Sequence, residues 1–196
     1  MTKPDIDPKS GMRLPLLDRD SLDEVARHAF DSHSKPGKSL AGLQGPGGIK
    51  LYSPKTIEAS DKLSHYLRFE AEYSPRTREI CILATARELD SQFEWVAHED
   101  EARRCDVPDA VIDVIKHRKE TTGLERKDAV VVELMRQIWR DHKVSSELFA
   151  EAKGIFGATQ LIEIVMLSGN YAKTAALLCL VDMQLHEGKT PLLPIP

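Results

Sequence analysis

Apolar residues recur every three or four positions along most of the chain, and the strict alternation of a half-buried strand persists nowhere. This spacing predicts about eight helices and no sheet. The predicted helices begin at Ser21, Pro54, Pro75, about Gln92, Pro108, about Arg126, Ser146 and Thr159. The fold class that the pattern indicates is therefore all-α.

Local start and stop signals refine these helices. The Ser21-Leu22-Asp23-Glu24 segment has the spacing of a capping box, in which Ser21 accepts an amide hydrogen and Glu24 reaches back to the Ser21 backbone. Proline follows serine at Pro54 and Pro75, which is a favoured first position of a helix. Gly157 predicts the end of a short helix, and the last helix is expected to run to about His186.

The domain organisation follows from where these helical patterns stop. Residues 1–20 are rich in proline and aspartate and are expected to form an N-terminal arm, residues 21–190 a single helical domain, and residues 191–196 a C-terminal tail. Residues 34–53 contain Pro36 and a Gly45-Pro46-Gly47-Gly48 run, which indicates a loop of about twenty residues. Such a loop is either a plain connector or a cover over a site.

Composition and charge narrow the function classes. The 196 residues contain 27 Lys+Arg against 31 Asp+Glu, a net charge of -4, with no basic block, which argues against a nucleic acid or an anionic membrane as partner. The three cysteines form no C-x-x-C pair, so neither a disulfide scaffold nor a zinc site is indicated. The apolar segment 161–181 carries Glu163 and Lys173, as expected of a core helix, and the N-terminus has no signal-peptide pattern. We expect a cytoplasmic protein without membrane contact.

The residues that favour chemistry lie between positions 76 and 98. Glu94 and His98 are four apart on one predicted helix and therefore share a face. Glu79 lies on the preceding helix among apolar residues, where we expect burial to raise its pKa, and an imidazole facing a carboxylate can shuttle protons. Two carboxylates and a histidine suffice for acid–base chemistry without a cofactor. Only Glu94 and His98 have favourable ligand spacing, so no metal site is predicted.

Each of these residues also has a structural interpretation. Ser91-x-x-Glu94 is a capping box, so Glu94 could simply close the start of a helix. Glu94 and His98 could be a solvated surface pair, and Glu79 could form an exposed ion pair with Arg78. The residues alone leave these alternatives open.

A wider pattern resembles the carboxymuconolactone decarboxylase family, relatives of alkylhydroperoxidase D. It consists of Arg78-Glu79, Leu83-Ala84, Ala86-Arg87, Phe93-Glu94-Trp95-x-x-His98 and Ala102, with supportive matches at Gly45-Pro46, Ser53-Pro54, Tyr66-Leu67-Arg68 and Ser168-Gly169-Asn170-Tyr171. The peroxidase branch of that family has a glutamate and a histidine 19 residues apart, as Glu79 and His98 are. Ser91 and Glu94 stand where that branch has its two cysteines. The chain therefore resembles the branch without cysteines.

The resemblance implies an alkylhydroperoxidase D-like helical domain with an N-terminal helical extension, usually oligomeric and free of cofactors. The implied reaction is the loss of CO2 from a small unsaturated carboxy-lactone or a related carbonyl acid. His98 would donate a proton or stabilise an oxyanion, Glu94 would hold or transfer the proton, and Glu79 would orient His98, with the two glutamates open to exchange. Arg68 and Tyr171 are weaker candidates for substrate binding.

Other functions stay open beside a decarboxylase. The same scaffold could carry an isomerase or another proton-transfer enzyme, or a helical homo-oligomer that only binds or assembles. A thiol peroxidase is disfavoured, because Cys81 and Cys105 are 24 residues apart and form no vicinal pair. The alanines of the last predicted helix, at positions 172, 175 and 176, favour close helix packing within or between subunits.

Overall fold

A computed structural model describes residues 5–35 and 40–195 of the chain. Within these two ranges it contains eight α-helices and no β-strand, which confirms the all-α prediction. The helices are α1 (Glu24–His33), α2 (Pro46–Lys50), α3 (Pro54–His65), α4 (Pro75–Glu88), α5 (Gln92–Arg104), α6 (Asp109–Lys116), α7 (Arg126–Trp139) and α8 (Ser146–Leu180).

The chain divides into two compact units. The first comprises residues 1–65 and 176–190, and the second comprises residues 66–175 and 191–196, so that the division falls within α8. These two units differ from the arm, single domain and tail that the sequence predicts, with boundaries at residues 20 and 190. That predicted domain organisation stays a prediction.

The first unit is built around a small apolar cluster formed by α1, α3 and the residues that precede α1 and follow α2. Its buried members are Leu22, Ala26, Ala29, Leu51 and Ile57. Asp23, and not Ser21, caps α1 by accepting the Ala26 amide hydrogen at 2.8 Å, so the predicted capping box is wrong. An aspartate directly before the first turn competes successfully with the serine two residues earlier.

The predicted loop over residues 34–53 is interrupted by the short helix α2, in which Gly47, Gly48 and Ile49 are buried. Gly47 and Gly48 have no room for a side chain, because a Cβ there would lie within 3 Å of backbone oxygens of Gly42 and Leu43. Pro36, on which the loop prediction partly rests, lies outside the described residues. The glycine run therefore serves close packing of the backbone.

The core of the second unit surrounds α4. Ser74 caps this helix through the Thr77 amide and Pro75 occupies its first turn, as predicted. Every residue of α4 from Glu79 to Arg87 is buried, and α5, α6 and α7 pack against it. A helix that is buried all round forces its charged residues to find partners inside the protein.

A π-helical segment, Tyr66–Glu70, precedes α4. It follows directly on α3. The sequence predicts one continuous helix here, with Leu63 and Leu67 on its inner face. Leu67 is fully buried, but Leu63 is exposed. Irregular turns of this kind are frequent at functional sites. This one carries Arg68.

The segment α8 contains the two helices predicted on either side of Gly157. The backbone of Gly157 is not helical, with a positive φ of 73° and a ψ of 171°, which confirms a helix boundary at this residue. The second of these helices ends at Leu180 rather than near His186. By length and composition alone α8 is apolar enough to cross a membrane, but a core helix passes the same test and the finding is weak evidence. Leu161, Ile164 and Leu167 of α8 are part of the core of the second unit.

Candidate active site

Glu79 of α4 and His98 of α5 form a buried pair in the second unit. The Glu79 side chain is fully buried and that of His98 is 6% exposed. The Nδ1 atom of His98 lies 2.8 Å from Oε2 of Glu79. Because an ionised carboxylate only accepts hydrogen bonds, the hydrogen of this contact belongs to Nδ1, and Nε2 is the nitrogen left for chemistry.

Arg78 holds the other oxygen of Glu79. Its Nε donates to Oε1 at 2.8 Å, while its Nη1 donates to the carbonyl of Arg68 at 2.8 Å. The Arg78 side chain is only 11% exposed, so the exposed ion pair considered from the sequence is wrong. Arg78 thus connects α4 to the π-helical segment.

These partners reverse the expected titration of Glu79. Burial raises the pKa of its carboxyl group, but the hydrogen bonds and positive charges of His98 and Arg78 outweigh burial and hold that pKa below its usual value. The raised pKa expected from its apolar neighbours in the sequence is therefore wrong. Glu79 is an ionised group that orients and polarises the imidazole.

Glu94, in the first turn of α5, has the opposite environment. It is 4% exposed, and no hydrogen bond to its carboxyl group is found among the described residues. Burial raises its pKa to about 8, and the charge of Arg68 lowers that pKa only in part. Ser91 makes no side-chain cap and Glu94 is not at the surface, so neither structural interpretation of Glu94 holds.

Tyr171 and Arg68 complete the cluster. The ring of Tyr171, on α8, meets the ring of His98 edge to face, with centroids 5.2 Å apart and planes at 84°. Burial raises the pKa of the Tyr171 phenol, so it keeps its proton, and the charges of Arg68 and Glu94 both act on it. The guanidinium of Arg68 lies 4.9 Å from the centroid of the Phe69 ring, and its Nε is buried without a hydrogen-bond partner.

All five residues singled out in the sequence therefore lie in one unit, and contacts or charge effects link each of them to at least one of the others. Glu94 and His98 share a face of α5, but the partner that hydrogen-bonds His98 is Glu79. The sequence reasoning missed the role of Arg78. The only sequence feature that indicated this role was the position of Arg78 beside a glutamate near the start of an apolar helix.

A second polar contact fixes α8 beside the site. Ser168, which is fully buried, lies 2.7 Å from the Thr85 hydroxyl of α4 and accepts the indole hydrogen of Trp139 at 2.6 Å. Ser168 precedes Tyr171 by one turn. This contact sets the register in which Tyr171 meets His98.

The thiols and possible metal ligands do not form a second site in the described ranges. Burial raises the pKa of Cys81 to about 12, and burial also raises that of Cys105, so neither is an activated thiolate. No group of three or more potential metal ligands is present among residues 5–35 and 40–195.

Two comparisons with known proteins give no family. No protein-family model matches the chain, and no curated protein matches it. The resemblance to carboxymuconolactone decarboxylases accordingly stays a prediction from the residues.

Proposed function

We propose that the protein is a cofactor-free acid–base enzyme, resembling carboxymuconolactone decarboxylase, that acts on a small unsaturated carboxy-lactone or a related carbonyl acid. The observation that carries the proposal is the contrast between the two buried glutamates. Glu79 is hydrogen-bonded to His98 and Arg78, whereas Glu94 is buried without a hydrogen bond to any described residue, and burial raises its pKa to about 8. Such divergent environments are typical of acid–base pairs in active sites.

In a decarboxylation, the bond to the departing carboxylate breaks and its electron pair moves through the double bond into a carbonyl. His98 is held through Nδ1, which leaves Nε2 for the substrate. With a hydrogen, Nε2 donates to that carbonyl oxygen, and without one it accepts the proton in transit. Glu94 supplies the proton that the carbanion-like carbon takes up. Glu79 is a positioning residue, because it acts through His98.

Proton transfer without loss of CO2 is the second candidate, and Arg68 is the observation that favours it. A guanidinium beside a departing carboxylate stabilises the charge that decarboxylation must disperse, so it slows that step. The same guanidinium stabilises an enolate or a carboxylate that stays on the product. The location of the reacting carboxylate relative to Arg68 therefore separates the two reactions.

We also propose that the chain works as a cytoplasmic homo-oligomer without nucleic-acid or membrane partners. Support for self-association comes from large apolar side chains that α8 leaves exposed, among them Phe149 (52%), Ile162 (60%) and Met166 (46%). Sedimentation velocity at several protein concentrations tests this directly, and a monomer at every concentration would contradict it.

The experiment for activity is proton NMR in D2O with a panel of unsaturated carboxy-lactones and β-keto acids. We expect the protein to remove a carboxylate and to place deuterium on the carbon next to the carbonyl that receives the electron pair. Deuterium exchange without CO2 loss would identify the proton-transfer reaction instead. No reaction on any compound would favour a binding or assembly protein.

Two substitutions at His98 separate catalysis from folding. His98→Asn keeps a donor for Glu79 but lacks the second nitrogen, and His98→Ala removes both. We expect both variants to lose turnover, with His98→Ala also less stable by about 1–3 kcal/mol because Glu79 loses a buried hydrogen bond. His117→Ala, at the exposed histidine that directly follows α6, is the matched control. Turnover by His98→Asn would refute the role of His98.

A further inference from the structure

Several groups in the cluster of Arg68, Glu94, His98 and Tyr171 have unused hydrogen-bonding capacity. Among the described residues, the Glu94 carboxyl and the Tyr171 hydroxyl make no hydrogen bond, and the buried Nε of Arg68 has none. His98 uses Nδ1 on Glu79. Buried polar groups without partners are costly, so their concentration in one place points to a ligand that supplies the partners.

The charges define which ligand fits. Arg68 is a cation whose charge acts on the phenol of Tyr171 and on the carboxyl of Glu94. Arg78 is already engaged by Glu79, and His98 is held by the same carboxylate. When Glu94 is neutral, Arg68 is the one cation of this cluster without a matching anion, and a carboxylate is the complementary group.

An ionised Glu94 competes for the same cation. Its charge acts on Arg68 from within the site, and a second carboxylate placed there would meet a like charge in a buried setting. A proton on Glu94 removes this repulsion and also turns its carboxyl into a donor. Arg68 on the π-helical segment is the charge that acts on Glu94. Arg68, Glu94, Glu79 and Arg78 act on Tyr171 of α8, which in turn meets the ring of His98.

We propose that Arg68 and Glu94 form a proton-linked carboxylate site, in which an anionic ligand pairs with Arg68 only while Glu94 holds a proton. This inference rests on the proposed function, because it concerns the same site and names a carboxylate as the group by which that site holds its ligand. The carboxylate at Arg68 stays on the ligand, so a substrate that loses CO2 carries a second carboxylate at the reacting carbon, on the side of His98.

The test is calorimetric titration with crotonate, an unsaturated monocarboxylate that does not itself titrate near neutral pH, and with neutral crotonamide as its matched control. We expect crotonate to bind and crotonamide not to bind. Above the pH at which Glu94 ionises, the affinity for crotonate should fall about tenfold per pH unit. Binding enthalpies compared between buffers of different ionisation enthalpy should show that close to one proton is taken up per bound crotonate.

Substitutions assign the effect to the two residues. Glu94→Gln should bind crotonate with an affinity independent of pH, and Arg68→Met should lose binding at every pH. Arg104→Met, at an arginine of α5 whose side chain is 67% exposed, should bind as the unaltered protein does. Thermal unfolding of each variant checks that it is folded. If Arg68→Met does not fold, the pH dependence of crotonate binding by Glu94→Gln still tests the proposal.

Three results would overturn the proposal. They are a crotonate affinity that does not vary with pH, the same pH dependence in Glu94→Gln, and the absence of crotonate binding. Failure of the proposed enzymatic function is distinguishable, because an inactive protein can still bind crotonate with proton uptake. Conversely, turnover with pH-independent binding would retain the enzyme and remove the linkage.

Discussion

Replacement of Glu94 by glutamine should change how the stability of the protein depends on pH. Glutamine has the shape of a protonated glutamate but never ionises. In the folded protein burial raises the pKa of Glu94 from its ordinary 4.5 to about 8. Between these two values the unfolded chain releases the proton and the folded protein keeps it, so stability falls as pH rises.

The size of the effect follows from those two pKa values. At about 1.4 kcal/mol per pKa unit, the difference between 4.5 and about 8 amounts to about 5 kcal/mol. It is absent well below pH 4.5, where the carboxyl is neutral in both states, and complete above about pH 8, where it is ionised in both. About 4 kcal/mol of it should develop between about pH 5 and about pH 9, which is a large part of the stability of an ordinary domain.

The assay is urea denaturation followed by circular dichroism, on the unaltered protein and on Glu94→Gln at a series of pH values. All other titrating groups are common to both proteins, so the difference in unfolding free energy isolates position 94. Glu94→Gln should gain about 4 kcal/mol relative to the unaltered protein from about pH 5 to about pH 9. Glu72→Gln, at an exposed glutamate, is the control and should show no such gain. A difference that varies by less than about 1 kcal/mol over this range would refute the burial argument.

Three further substitutions test the surroundings of the site. Glu79→Gln should cost about 3 kcal/mol in denaturation experiments, because it leaves the buried guanidinium of Arg78 without its counter-charge; no loss would mean that Arg78 reaches solvent. Ser168→Ala should cost about 1–3 kcal/mol, because the indole hydrogen of Trp139 loses its acceptor; an unchanged unfolding midpoint would contradict this. Gln92→Ala should speed hydrogen exchange in the C-terminal tail at residues 192 and 193, whose amides donate to the Gln92 side chain at 2.8 Å; unaltered exchange there would show another anchor.

The sequence predicted the helices with strong local signals and missed features that depend on tertiary packing. Pro75 after Ser74 and the apolar run of α4 were sufficient to predict that helix. The cap of α1 was misassigned because Ser21 and Asp23 offer the same chemistry two residues apart. The helix boundary at Gly157 was predictable, because glycine adopts a positive φ more easily than any other residue, but the end of α8 at Leu180 was not.

The candidate site was predicted as a set of residues, but not as an electrostatic arrangement. The three-residue connection between α4 and α5 makes these helices neighbours, so Glu79 and His98 were expected to meet. Their spacing could not show on which side of Glu79 the Arg78 guanidinium would lie. That contact, rather than the apolar sequence around Glu79, decides the direction in which its pKa moves.

The same contact separates the roles that the sequence left exchangeable between the two glutamates. A group that must hold and release a proton near neutral pH needs a pKa in that range, and a group that orients an imidazole needs to stay ionised. Arg78 and His98 keep Glu79 charged, whereas burial, with no hydrogen bond from the described residues, raises the pKa of Glu94 to about 8. Exchange of the roles would require Arg78 to lie on Glu94 instead. The geometry therefore favours Glu94 as the proton reservoir and Glu79 as the residue that positions His98.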